Sequence, residues 1–486
     1  MKSVKFLIVT ISLLGAFVAC DKDKSASLIL DKESLYFASW GAEPQTISYV
    51  ESNAELVAVG SISEGWNATV DMFARRIIVT PVGATEEGVT NDDLPKEGSM
   101  VVNARNRENK TTSYMVNLYI SEIVEIDEEG LANCYVVTTP STTYSFDAMH
   151  RPDNSELATA RVSLLWQSNP GVIKHVDLVD GRAMFYVKAL TDDSARLEDT
   201  NGVIAAYNAS GEIIWSWHLW IVNENPLTDT DTYSNGKVFM RKNLGAFTNS
   251  DGSADTQKIL DSYGMYYQWG RKDPFPRPYY FDASGAEDES YYNEEGVYIK
   301  SIFKEISSIC GVVGYTIAHP AHFITNATSI EEGGDGIGDW LVSQDNRLWS
   351  DTEKSLYDPC PYGWRVPTAD DLSVLRLSNE EDETQLEIAK KQYGWHLSDG
   401  VSKYFYSACG RRRYSDGKVE NMNYKEGVYP SQPQPWEGYY WTSSTTTDGK
   451  AVSLYFDLTT TRTINKFDNM NHACRANGFQ IRCVKE

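Results

Sequence analysis

The thiols, histidines and clustered oxygens of this 486-residue chain are the side chains with the most specific chemistry. Cys20 stands apart from the other six cysteines. It closes the apolar run 6–19 and precedes Asp21-Lys22-Asp23-Lys24, so its thiol falls at an apolar-to-polar boundary where acyl chains can be attached. Cys134 is alone in the middle, and Cys310, Cys360, Cys409, Cys474 and Cys483 fill the C-terminal half, where five thiols cannot all pair among themselves. His319-Pro320-Ala321-His322 places two imidazoles three residues apart. Pro320 breaks the helix that would aim both inward, so a loop is expected rather than a metal site. Asn249-Ser250-Asp251-Gly252-Ser253-Ala254-Asp255 and Gly333-Gly334-Asp335-Gly336-Ile337-Gly338-Asp339 gather oxygens around glycines, as calcium loops do. Neither has the acidic closing residue of an EF-hand, and turns use the same residues, so no cofactor is expected at either. No nucleophile elbow, phosphate-binding loop or dinucleotide fingerprint is present, and catalytic residues are expected to be absent. For a ligand, Pro433-Gln434-Pro435-Trp436-Glu437-Gly438-Tyr439-Tyr440 is the segment of interest. Its prolines stiffen it, and Trp436 and Tyr439 offer flat faces on which a sugar ring stacks.

Composition narrows the class. The chain carries 44 basic and 68 acidic residues, a net charge of −24, which repels phosphate backbones and argues against nucleic acid. Its 13 Trp and 29 Tyr suit either aromatic-rich β domains or surfaces that bind sugars. No stretch after the first twenty residues is apolar enough to span a bilayer.

The elements that must position these groups divide the chain into three parts. Residues 28–122 read as short alternating strands, among them Thr46-Ile47-Ser48-Tyr49-Val50 and Tyr114-Met115-Val116-Asn117-Leu118-Tyr119-Ile120, the spacing of an antiparallel sandwich. Residues 123–225 read as a second sandwich. Its closing run, Ile213-Ile214-Trp215-Ser216-Trp217-His218-Leu219-Trp220-Ile221-Val222, is apolar on both faces, as a central strand covered on two sides must be. Residues 226–486 mix helix and strand. Helical spacing is expected over 254–269 and 301–310, and Thr368-Ala369-Asp370-Asp371 reads as the capped start of a helix through Leu375. Strands are expected at Val452, Leu454, Phe456 and Leu458, and at Phe479, Ile481 and Cys483.

Several motifs resemble known families. Lys2, Lys5, the apolar run and Cys20 resemble a bacterial lipoprotein signal, which implies removal of residues 1–19, lipidation of Cys20, a tether over 20–27 and a lipid-anchored location at the outer membrane or cell surface. Leu28, Leu30 and Phe37, with Gly65-Trp66-Asn67-Ala68-Thr69-Val70 and Ile78-Val79-Thr80-Pro81, resemble the Bacteroidetes-associated carbohydrate-binding domain, here a spacer more than a binder. Asn133-Cys134-Tyr135 and Ile214-Trp215-Ser216-Trp217-His218 are similar to marks of gut Bacteroidetes surface proteins, some fimbrillin-like. Asp358-Pro359-Cys360-Pro361-Tyr362-Gly363-Trp364-Arg365-Val366-Pro367-Thr368, Tyr440-Trp441-Thr442-Ser443-Ser444 and Arg475-Ala476-Asn477-Gly478-Phe479-Gln480-Ile481-Arg482-Cys483 resemble the Fibrobacter succinogenes major paralogous domain. Arg241-Lys242-Asn243-Leu244 and Trp269-Gly270-Arg271-Lys272-Asp273-Pro274-Phe275 also fit that family.

That resemblance implies a C-type-lectin-like fold for 226–486. The expected fold class is therefore mainly β: two tandem Ig-like sandwiches followed by an α+β C-type-lectin-like domain. Formylglycine-generating enzymes share the last fold and use a redox-capable cysteine pair. Here Cys360, after Pro359 and before a strand, and Cys483, on the alternating face with Phe479 and Ile481, read instead as a structural disulfide, with Cys409 to Cys474 as a second pairing. The expected function is a non-enzymatic surface lipoprotein and adhesin for glycan or host protein, held to the membrane by its N-terminal lipid and fimbria-associated. A surface enzyme on polysaccharide or protein cysteines and a structural pilus subunit are the alternatives.

Overall fold

The computed structural model describes residues 25–250, 252–253, 255–277, 291–327, 338–377, 383–420, 436–458 and 467–486. Eight strands come first: β1 (Ser27–Leu30), β2 (Ser34–Phe37), β3 (Gln45–Ser52), β4 (Leu56–Ile62), β5 (Trp66–Asp71), β6 (Arg76–Pro81), β7 (Glu97–Arg105) and β8 (Thr111–Ile120). They form two four-stranded sheets, β1-β3-β6-β5 and β2-β8-β7-β4. Alternation drives the packing. Ile77 and Val79 of β6 face Val116 and Leu118 of β8 in one core, while Ile78 and Asn117 turn outward.

The next eight strands build a second sandwich: β9 (Ile123–Glu125), β10 (Cys134–Val137), β11 (Thr142–Asp147), β12 (Arg161–Gln167), β13 (Ile173–Val179), β14 (Arg182–Val187), β15 (Thr200–Tyr207) and β16 (Ile213–Ile221). The sheets run β10-β16-β15-β12 and β13-β14-β11-β9. The run over 213–222 is central, as its double-sided apolar pattern demands. Trp215, Trp217, Leu219 and Ile221 enter the core between the sheets, and Trp220 and Val222 enter a different core on the outer face.

That outer core explains how the C-terminal part is seated. Cys134, Trp166, Val203 and Trp220 of the second sandwich share one apolar cluster with Trp269, Trp340, Trp349, Trp441, Phe479 and Cys483. Burial of this kind is roughly proportional to apolar area removed from water, so neither side leaves that face wet without a large cost. A smaller junction joins the two sandwiches. There Tyr36 and Tyr119 of the first meet Met184 and Tyr186 of the second, with the Tyr119 and Tyr186 rings 5.1 Å apart.

The C-terminal part is mostly short strands around a three-stranded sheet of Glu437–Thr445, Ala451–Asp457 and Phe467–Ala473. The strand at Val452, Leu454 and Phe456 forms where alternation places it. Three helical expectations are corrected. Over 254–269 the helix α1 is only Thr256–Asp261, because Gly264 lies against the Leu244 carbonyl with no room for a side chain and Met265 N–H donates to that same oxygen at 2.8 Å. Over 301–310 the chain instead makes the strand Ile302–Glu305, paired in parallel with His322–Thr325, and Ile302 and Ile309 stay exposed, so no helical face is buried. Thr368 and Asp371 do exchange the bonds of a capping box, at 2.8 and 3.1 Å, but around a turn. Arg365 holds the Asp371 carboxylate at 2.7 Å instead of leaving it to a helix end. The other helices are α2 (Val313–Ala318) and α3 (Glu383–Gln392).

Candidate functional site

The motif residues meet in the seam between the second sandwich and the C-terminal part. Cys134 lies opposite His218 because β10 and β16 are parallel neighbours, and the His218 N–H donates to the Asn133 carbonyl at 2.8 Å. The Asn133 amide donates in turn to the carbonyls of Leu356 and Asp358, at 2.8 and 2.9 Å. From the facing loop Lys272, only 2 % exposed, donates to the Ser216 carbonyl at 2.9 Å, to its hydroxyl at 2.5 Å and to Asp273 at 2.6 Å. The Lys272 ammonium also lies 4.6 Å from the Trp215 ring centre. A buried ammonium is tolerable only when paired and fully hydrogen-bonded in this way.

Burial decides the chemistry of the other groups here. It holds His218 far below its ordinary range, at about 3, so the ring is neutral; its nitrogens face Asn201 Oδ1 at 2.9 Å and the Tyr267 hydroxyl at 3.2 Å. It pushes the Cys134 and Cys409 thiols well up and the Cys474 thiol to about 11, which keeps all three protonated in neutral water. A thiol in that state is neither a nucleophile nor a metal ligand. Cys134, His218 and Lys272, each at most 2 % exposed, are therefore spent on joining the two parts of the fold.

The three C-terminal motif blocks converge in the same way. Trp364–Arg365 pairs with Val484–Lys485, Trp441 N–H donates to the Gln480 carbonyl at 2.8 Å, and Ser443 N–H donates to the Pro367 carbonyl at 2.8 Å. Cys360 and Cys483 are joined by a disulfide that closes a span of 123 residues. Cys409 and Cys474 are both free thiols, which corrects their pairing. Arg475 lies 4.1 Å over Trp269 and 3.6 Å from Asp339; burial nonetheless raises Asp339 to about 6.

The stacking surface expected at Trp436 and Tyr439 is also corrected. Each is 6 % exposed. Trp436 is packed edge-on against Tyr393 at 4.6 Å, and Tyr439 stacks on Phe479 at 4.6 Å while its hydroxyl donates to Glu437. Their faces are spent on the core, so no sugar ring reaches them in this structure. Pro433, Gln434 and Pro435 lie outside the described residues, as do residues 1–24 with Cys20, Asp251 and Ala254 of the first glycine loop, and 333–337 of the second. His319 and His322 stack with ring centres 4.7 Å apart, and Tyr315 bonds the His322 ring at 2.9 Å. Among the described residues no three His, Cys, Asp or Glu side chains gather to hold a metal ion.

The open site lies elsewhere, beside the exit of β16. A groove of about 570 Å³ is lined by Glu224, Asn225, Thr228, Asp229, Arg241, Thr248, Asn249, Ser250 and Lys258. Its side chains are all polar, with two carboxylates balanced by two cations. The floor is rigid: Lys242, wholly buried, binds Glu224 at 3.2 Å and Asp229 at 3.1 Å, and Arg241 lies 3.5 Å from Asp229. One wall is the turn at Ser250, with φ at +61°, lined also by Thr248 and Asn249. Asp255 caps α1 by accepting from the N–H groups of Gln257 and Lys258, which fixes Lys258 on the opposite wall. Sequence reasoning passed over this groove because it is assembled from three separate turns. The one local signal is the density of Asn, Asp, Thr and Ser across 223–232 and 248–255.

Among the described residues no helix is long and apolar enough to cross a membrane. No protein-family profile matches the chain, and no curated protein does. Similar solved structures include the SGBP-B protein of a Bacteroides ovatus mixed-linkage glucan utilization locus in complex with a heptasaccharide, at 10% identity over 42% of this chain and 46% of that one, TM-score 0.14. The Ig1-2 module of the Drosophila receptor tyrosine phosphatase DLAR matches at 10% identity over 40% and 98%, TM-score 0.14, and the human desmocollin-1 ectodomain at 7% over 47% and 45%, TM-score 0.15. The chain thus spans about half the length of the glucan-locus and desmocollin structures. The tandem sandwiches rest on this chain's own strand order.

Proposed function

We propose that this protein is a non-enzymatic, lipid-anchored surface protein that binds a neutral, hydroxyl-rich ligand, a glycan, in the groove between Glu224 and Lys258. In this reading residues 1–19 are a removed signal and Cys20 carries the lipid. Residues 28–122 are a spacer of the Bacteroidetes-associated carbohydrate-binding kind, 123–225 a second sandwich, and 226–486 a C-type-lectin-like module of the Fibrobacter succinogenes major paralogous kind. The observation that carries the binding function is the groove's balanced polar lining over a fixed floor. Planar amide, carboxylate and guanidinium groups bond adjacent hydroxyls in pairs, and a preorganised site avoids the entropy of ordering its own side chains.

The test is a glycan array probed with the full chain, with and without calcium, alongside an assay for released reducing ends. Binding that Arg241→Ala and Asn249→Ala each weaken by roughly tenfold, the loss of about one hydrogen bond, supports the reading. Reducing ends released in proportion to protein favour the enzyme instead. Binding untouched by both substitutions removes the groove from the function.

A further inference from the structure

The first sandwich has one end unlike the rest of the molecule. The β5–β6 hairpin, closed by the pair Asp71 and Arg76, carries Met72 and Phe73 at its tip, and the Phe73 side chain is fully exposed. A large ring held in water at a hairpin tip gains nothing for folding, because it loses no surface to any neighbour. The tip is not isolated. Tyr49 N–H donates to the Arg75 carbonyl at 3.0 Å, which sets the tip beside the last residues of β3, and there Val50 pairs with Ile29 of β1, both exposed on the outer face. Ile29, Val50, Met72 and Phe73 therefore mark one apolar margin.

The chain enters at this same end. Ser27, the first residue of β1, lies opposite Ser52, the last residue of β3, while the second sandwich is joined at the other end through Tyr36 and Tyr119. Six residues lie between Cys20 and Ser27, and the seven steps of a fully extended chain reach at most about 25 Å. The charge of this end also departs from the whole. Four carboxylates here are matched by cations, Arg75 with Glu51 at 3.0 Å, Arg76 with Asp71 at 3.4 Å, Arg107 with Glu55, and Lys110 with Glu108 at 3.8 Å; Arg105 adds a fifth cation and Asp31, which accepts from the Ser48 N–H at 2.7 Å, a fifth carboxylate. The whole chain has 68 acids against 44 bases.

From these observations we infer that the Met72-Phe73 tip is a foot that enters the bilayer interface beside the lipid of Cys20, with the arginines behind it at the headgroup level. An aromatic ring backed by cations is suited to that boundary, where one side is apolar and the other wet and anionic. One acyl-bearing residue by itself leaves a protein free to tumble. A second contact at the same end fixes its axis, so that the two sandwiches stand away from the membrane and the groove faces outward. This inference rests on the lipid-anchor reading of Cys20.

The experiment reconstitutes the full lipidated chain into vesicles of phosphatidylethanolamine and phosphatidylglycerol. An environment-sensitive dye is placed at Phe73→Cys or, as a distal exposed control, at Val401→Cys, in a Cys474→Ser background so that the added thiol is the accessible one. A blue shift and shielding from an aqueous quencher at position 73, without either at 401, is the expected result. Equal water exposure at both positions overturns the foot while leaving the anchor intact. A shift at 73 that grows with protein concentration in the absence of vesicles assigns the tip to a second copy and also overturns it. Radiolabelled palmitate that fails to enter the wild-type chain at Cys20 overturns the anchor and the foot together.

Discussion

Lys272 shows how much one residue of this protein is asked to do. Its ammonium is buried, satisfied by Ser216 and Asp273, and held against Trp215, so it fastens the C-terminal part to the central strand of the second sandwich. Removing one partner of such a pair leaves the other charge buried without compensation. Lys272→Met is expected to destabilise the chain by about 3 to 5 kcal/mol, and Lys272→Met with Asp273→Leu to recover much of that loss; urea denaturation of the two variants checks both. An equal loss in the double variant would mean that packing, not charge, dominates the site. At this scale the sequence was partly legible. Lys272-Asp273 stood inside a segment singled out in the sequence, and the bond between Cys360 and Cys483 was expected because one precedes a strand and the other lies on an alternating apolar face. Trp436 and Tyr439 were misread as surface because a flat ring suits a core and a sugar equally well, and only burial separates the two uses.

Strand β16 holds the molecule together as an element. It pairs with β10 and β15, and its alternate residues feed two cores at once. Trp217 is fully buried and meets Phe146 of the opposite sheet edge-on at 5.0 Å. Trp217→Ala is expected to cost about 3 to 5 kcal/mol through lost contacts and a cavity. Because β16 also carries Trp220 on its other face, thermal unfolding of that variant should remain one cooperative step for the region 123–486. Two separated transitions would show that the sandwich and the C-terminal part melt independently. The double-sided apolar run made this strand readable. The helices expected over 301–310 and 368–375 failed for the opposite reason: a few apolar residues at helical spacing carry little information when the backbone groups have better partners elsewhere in the fold.

For the whole molecule, the junction between the two sandwiches makes stability depend on pH. Burial, reinforced by Glu33, raises the Asp177 carboxyl to about 6, and burial also raises Glu294, which accepts from the His175 N–H at 2.9 Å. A carboxyl whose folded pKa lies above its unfolded value stabilises the fold while protonated, and that contribution fades as pH rises through the folded value. The melting temperature is therefore expected to fall between about pH 4 and pH 6.5, and Asp177→Asn to flatten that slope. A slope unchanged by the substitution would place the titration elsewhere; Asp339, raised in the same direction, is the other group to test.

Composition and short-range pattern determined that this chain is rich in strands, acidic, and built as sandwiches followed by a motif-bearing C-terminal part. Those properties are local: hydrophobic alternation, turn residues and charge act over a few neighbours and can be read in order along the chain. The tertiary structure alone decided that the motif aromatics are spent in cores, that the 123–225 and 226–486 parts share one of those cores, and that the open polar groove is assembled from turns at 224–229, 241 and 248–258. Those are facts about which distant surfaces exclude water together, and desolvation depends on the three-dimensional neighbours of a group rather than on its neighbours in sequence.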